Sequence, residues 1–179
     1  MFLSSESIAP PDWFLDEIHF SLEMQGIQES ELFYRENLIA PFMRLAWRSH
    51  RKLKVWTGQT LRYDDDLSGE PDYFISAFQE GIINTLFAMP LLAVIEAKRQ
   101  DFDEGWGQCL AAMLACQKLN DDNIIVYGIV CTGMFWEFGK LEKDVFTKNL
   151  LSYSISDPAK VLGILDYIFA ECEKQVTKK

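Results

Sequence analysis

The hydrophobic positions of this chain change period several times, and each change predicts a new element. Phe14, Ile18 and Leu22 recur at helical spacing after Pro10-Pro11, with Gly26 as a stop, which predicts a helix over 12–25. A second helix is predicted from Ser30 toward Arg48, with Leu32, Ile39, Phe42, Met43 and Ala46 on one face. Pro41 lies inside it, lacks an N–H and should kink or restart the helix. From Lys52 the helical period is lost. Lys54 to Thr57 and Leu61 to Tyr63 read as short strands around Gly58-Gln59, and Pro71 to Phe78 reads as another. The segment 79–89 fits either an irregular excursion or a short helix. Leu91 to Lys98 is continuously apolar up to its charged end, the pattern of a central strand buried on both faces.

A helix is expected over 103–119, where Trp106, Leu110, Met113, Leu114 and Gln117 follow its period, and Asn120-Asp121-Asp122 ends it. Residues 124–131 give a buried strand, 134–141 its hairpin partner and 145–153 an edge strand. Ser156-Asp157-Pro158 opens a closing helix that runs to about Gln175 before a basic tail, because a capping side chain precedes proline at the first turn. This order predicts an α/β (α+β) fold, a mixed central sheet flanked by helices. Without internal repeat or low-complexity linker, residues 1–179 are expected to form a single domain.

Composition narrows the setting. Hydrophobic residues make up 49% and charged ones 25%, ordinary for a soluble globular protein. Cys109, Cys116, Cys131 and Cys172 match no Cys-x-x-Cys or zinc spacing, so free thiols and a cytoplasmic location are expected. The first residues lack the basic start and apolar core of a signal peptide, and the longest apolar stretch, 81–95, is broken by Asn84 and Pro90. No membrane role is expected.

The candidate chemistry sits where the apolar strand ends. Glu96 and Lys98 are two apart, so on a strand they project to the same face. Asp72 lies at the start of the preceding strand-like segment, after Pro71. Two acids and an ammonium meeting at a sheet edge suit metal-assisted phosphodiester cleavage, which needs an attacking water, neutralised phosphate and a stabilised leaving oxygen. Asp72, Glu96 and the Ala97 carbonyl are hard oxygen donors suited to Mg²⁺ or Mn²⁺, and Lys98 would hold or activate the water and offset developing charge.

Pro71-Asp72, then Glu96-Ala97-Lys98, then a helix bearing Gln108 resembles the PD-(D/E)XK nuclease superfamily. Within it, the chain is similar to the nuclease domain at the N-terminus of type I restriction enzyme motor subunits. Such domains open with a helix like Glu31 to Pro41 that ends in a tryptophan like Trp47, and carry a hairpin like Tyr127 to Phe138. The likeness spans about 31–141; the first helix and the last lie outside it. It implies a restriction-endonuclease-like fold and a DNA endonuclease of a restriction or mobile-element system. It also implies Gln108 as a helper that orients Lys98 or substrate, and Glu31 as an acid approaching the metal from the first helix, with Glu36 a rival. The interval from Asp72 to Glu96 exceeds a tight hairpin, so an insertion near 79–89 has to be accommodated.

Other groups read more plainly. A lone Glu-x-Lys is usually a solvated pair. Asp64-Asp65-Asp66 lacks the spacing of a calcium loop and reads as a polar turn, while His19 and His50 have no partner at ligand or triad spacing. Trp106, Phe135, Trp136 and Phe138 read as core packing. The net charge of −10 disfavours DNA as a partner, since affinity for phosphates comes from Lys and Arg. Against it stands one basic cluster, Arg44, Arg48, His50, Arg51, Lys52 and Lys54, bracketed by Trp47 and Trp56; its plain reading is a solvated helix end. The alternative function is therefore a catalytically inactive nuclease-fold module that binds a protein partner. A homodimer is suggested only by the two cuts that a duplex requires.

Overall fold

A computed structural model describes residues 2–3, 6–65, 67–80, 87–121 and 124–176. Of the sequence expectations, the centre of the 79–89 excursion, Asp66 and the basic tail lie outside these residues.

The elements run in the order α1 (Asp12–Glu23), α2 (Glu31–Tyr34), a π-helical turn (Arg35–Ile39), α3 (Ala40–Trp47), β1 (Leu53–Thr57), β2 (Leu61–Arg62), β3 (Ser68–Gly69), β4 (Tyr73–Ala77), β5 (Leu91–Ala97), α4 (Phe102–Leu119), β6 (Val126–Cys131), β7 (Phe135–Glu142), β8 (Val145–Lys148), β9 (Tyr153–Ser154) and α5 (Pro158–Val176). The main sheet is mixed, in the order β1-β4-β5-β6-β7-β8, with β9 also paired to β7. Among the described residues only β5 and β6 pair in parallel, and α4 is the crossover that parallel pairing demands. A mixed sheet flanked by helices is therefore present, as expected.

Alternation along the central strands divides two apolar layers. Tyr73, Ile75, Ala93, Ile95, Ile129 and Phe138 face one cluster with Phe14, Phe42 and Phe169 from α1, α3 and α5. Phe74, Val94 and Val130 face the other, built on Trp106, Cys109 and Met113 of α4. All seven residues of β5 are buried, Glu96 included. Its parity places Glu96 with Val94 on the α4 side, so a carboxylate takes a position that the sheet otherwise fills with hydrocarbon.

Pro41 does interrupt its helix, which restarts after a widened turn. Pro41 has no N–H to continue the ladder, and Arg35–Ile39 take π-helical geometry before α3 resumes at Ala40. Ser30 caps the start, accepting the Phe33 N–H at 3.1 Å. Leu32 departs from the expected face: it is exposed, whereas Ile39, Phe42 and Met43 are buried in the core. The strand pairing near Gly58 also differs from a local hairpin. β1 pairs with β4 and β2 with β3, so the alternation located strands without disclosing their partners. The four cysteines are free and buried. No helix among the described residues is long and apolar enough to cross a membrane.

Candidate functional site

The site forms where β4 begins and β5 ends. Antiparallel register sets Tyr73 opposite Ile95, which carries Asp72 to the level of Glu96. Asp72 is pinned there from three sides. Its carbonyl accepts the Gly58 N–H at 3.1 Å, its Oδ2 accepts the Ala97 N–H at 2.8 Å, and its Oδ1 accepts from Arg35 Nη1 at 2.8 Å. The Asp72 side chain thus crosses from β4 to the backbone of Glu96-Ala97-Lys98, while Lys98 N–H turns the other way to Cys131 of β6 at 2.8 Å.

Glu96 is 6% exposed. Burial pushes its carboxyl up to about 8, and the Asp72 charge adds to the rise. Lys98 and the Asp72 backbone amide pull the other way, and Glu31 adds a smaller push upward. A buried acid raised by an acidic neighbour at a cleft is a physical mark of a functional position.

Lys98 leaves the end of β5 beside α4. Its Nζ lies 3.7 Å from Glu104 Oε1, and Gln108 Nε2 donates to the same oxygen at 3.3 Å. Glu104 therefore joins Lys98 to Gln108 across one helical turn. The approach requires Gly105: a methyl there would sit 3.0 Å from Lys98 Cγ and 2.6 Å from Val130 Cγ1. Asp101 caps α4 at this end, its Oδ1 accepting the Glu104 N–H at 2.9 Å.

A cleft of about 260 Å³ opens over these groups. Glu96 and Gln108 line it, with Ala111 and Ala112 of α4 and residues 68–71 leading into β4. Asp72 and Lys98 border this end without lining the cleft. Glu31, at the N-terminus of α2, is exposed and acts on Glu96 through space, whereas its rival Glu36 pairs with Arg35 at 3.4 Å. The hard oxygen donors on hand are Asp72, Glu96 and the Ala97 carbonyl. Among the described residues, no group of three or more His, Cys, Asp or Glu is arranged to hold a metal ion.

Sequence reasoning missed Arg35 and Glu104. Glu104 stands four residues before Gln108, a spacing that puts both on one helical face and was available as a signal. Arg35 had none, because its partner is 37 positions away. The partners of His50 were also out of reach. His50 is 6% exposed, with Nε2 2.9 Å from Asp166 Oδ1 and Nδ1 3.2 Å from Glu173 Oε2 on α5, too far along the chain for any spacing rule. Of the aromatic residues read as core, Trp106, Trp136 and Phe138 are buried, but Phe135 is 48% exposed at the start of β7. No family model matches the chain, and no curated protein or solved structure gives a significant match.

Proposed function

We propose that this chain is a DNA endonuclease of the PD-(D/E)XK type, dependent on Mg²⁺ or Mn²⁺ held by Asp72, Glu96 and the Ala97 carbonyl. The observation that carries this reading is the bond from Ala97 N–H to Asp72 Oδ2, which fastens the upstream acid to the Glu-x-Lys strand. The donor set fits a hard divalent cation. Two carboxylates repel strongly enough to help raise Glu96 to about 8, and a cation relieves such repulsion. Each Asp72 oxygen already bonded keeps a further lone pair. When bound, the cation supplies Lewis acidity toward the phosphate and lowers the pKa of water.

The remaining work falls to the chain. Lys98, held close to Glu104, offers an ammonium at the cleft edge to offset negative charge on a phosphodiester or to orient a water. Gln108 steadies Glu104 and presents an amide to the cleft. Arg35 neutralises Asp72 in the absence of a cation and has to share that carboxylate with one. Four free buried thiols support a reducing, cytoplasmic setting.

The Arg35–Asp72 ion pair also favours a second reading, an inactive nuclease-fold module that binds a protein partner, in which this pair is structural. Cleavage of labelled single-stranded, duplex and branched DNA in Mg²⁺ or Mn²⁺ separates the two. The nuclease reading expects cutting that Asp72→Ala and Lys98→Ala abolish. A folded wild type that cuts none of these supports the module.

A further inference from the structure

A second cleft, of about 550 Å³, lies away from the Asp72 site. Arg44, Arg48, Arg51 and Lys54 line it together with Trp47 and Phe78, and among the described residues no carboxylate does. Leu53 closes its floor. In a chain of net charge −10, such a concentration of cations makes a strong local positive field.

Aromatic faces hold two of these cations, Arg48 and Lys54, and leave their charge unspent. Arg48 Cζ sits 5.5 Å from the Trp13 ring, and Lys54 Nζ lies 5.8 Å from Trp47 and 5.2 Å from Trp56. The nearest carboxylate contact is loose: Glu17 Oε1 is 4.0 Å from Arg44 Nη2. The cations are also spread out, from the last turn of α3 through the following turn and into β1. Arg44 and Arg48 are one helical turn apart, about 5–6 Å between their β-carbons. A row of this kind follows a chain of phosphates better than it encloses one.

Phe78, 48% exposed, adds an open aromatic face. Unpaired bases present flat π-surfaces to such a face, whereas a duplex hides them in its stack. The cleft and the Asp72 site also share two strands. Leu53 pairs with Ala77 at the cleft end, and Thr57 pairs with Tyr73 at the other, so about 13 Å of strand separates them.

We propose that this cleft binds an unpaired segment of a nucleic-acid strand, with phosphates on the Arg44–Lys54 row and a base against Phe78. The inference rests on the nucleic-acid reading above, but not on cleavage. Its test is fluorescence anisotropy of labelled oligo(dT) in EDTA at low salt, where cutting plays no part. Binding is expected to weaken about ten-fold or more in the Arg48→Ala/Arg51→Ala double variant, with the log–log salt slope reduced by about 0.7 for each phosphate contact removed. Phe78→Ala should weaken it on the order of ten-fold with the salt slope unchanged. Cleavage is scored separately in Mg²⁺, so loss of cleavage and loss of strand binding are told apart. Absence of binding, equal binding by variants with native circular dichroism, or equal competition by duplex or free dTMP overturns the proposal.

Discussion

Asp72 Oδ2 accepts the backbone N–H of Ala97 at 2.8 Å while Asp72 Oδ1 takes the Arg35 guanidinium at the same distance. One carboxylate thus ties β4, β5 and the π-turn together at the end of the sheet. Removing the acid strands a half-buried guanidinium and an amide at once. Asp72→Ala is expected to cost about 2–3 kcal/mol of stability, and Arg35→Ala about 1–2 kcal/mol. A double-mutant cycle read by denaturant unfolding should give a favourable coupling of about 1 kcal/mol or more. Strict additivity would show that the pair is incidental.

Glu96 makes stability depend on pH. Its folded value of about 8 stands above the unfolded 4.5, so between these the folded state holds a proton that the unfolded chain has released. Its contribution is fully present below about pH 4.5 and is lost as pH rises toward about 8, on the order of a few kcal/mol in all. Glu96→Gln should flatten that part of the profile and unfold at a higher temperature than wild type at alkaline pH. Parallel profiles for the two proteins would contradict the assignment.

Gly105 sets the distance from α4 to β5. Gly105→Ala drives a methyl into Val130 and the Lys98 stem, and is expected to destabilise by about 1–3 kcal/mol despite the better helix propensity of alanine. Because the displaced groups include Lys98, DNA cleavage should fall more than stability at the assay temperature explains. Gly107→Ala on the same helix, where nothing lies within 4 Å, is the control and should be neutral or stabilising.

Much of the fold was legible because its signals are local. β5 shows itself by an unbroken apolar run, the start of α2 by Ser30, and the helix interruption by Pro41. Asp72 and Glu96-Ala97-Lys98 were visible as charges placed at strand ends. What stayed hidden is pairing over distance. Nothing near Arg35 points to Asp72, nothing near His50 points to α5, and alternation in β1 cannot say that its neighbour is β4. Exposure is equally non-local: Leu32 and Phe135 fit apolar patterns, yet both are exposed among the described residues.

His50 offers a prediction that sequence reasoning would have missed. It stands between Asp166 and Glu173, and Glu173 Oε1 also accepts the Lys52 N–H at 3.0 Å, so this imidazole joins α5 to the end of α3 and the turn before β1. His50→Ala leaves two carboxylates facing each other across a small void and should cost about 2–4 kcal/mol by denaturant unfolding. A loss below about 0.5 kcal/mol, the range of an ordinary surface change, would contradict a structural role.

The central claim is that Asp72 and Glu96 are gathered to share a divalent cation. Calorimetric titration of Mn²⁺ into the wild-type chain near pH 8 tests it most directly. Saturable binding should appear, vanish in folded Asp72→Asn and Glu96→Gln, tighten in Arg35→Ala where the competing guanidinium is gone, and persist in the Arg48→Ala/Arg51→Ala variant. No binding by the wild type, or the same heat from the two acid variants, would contradict it.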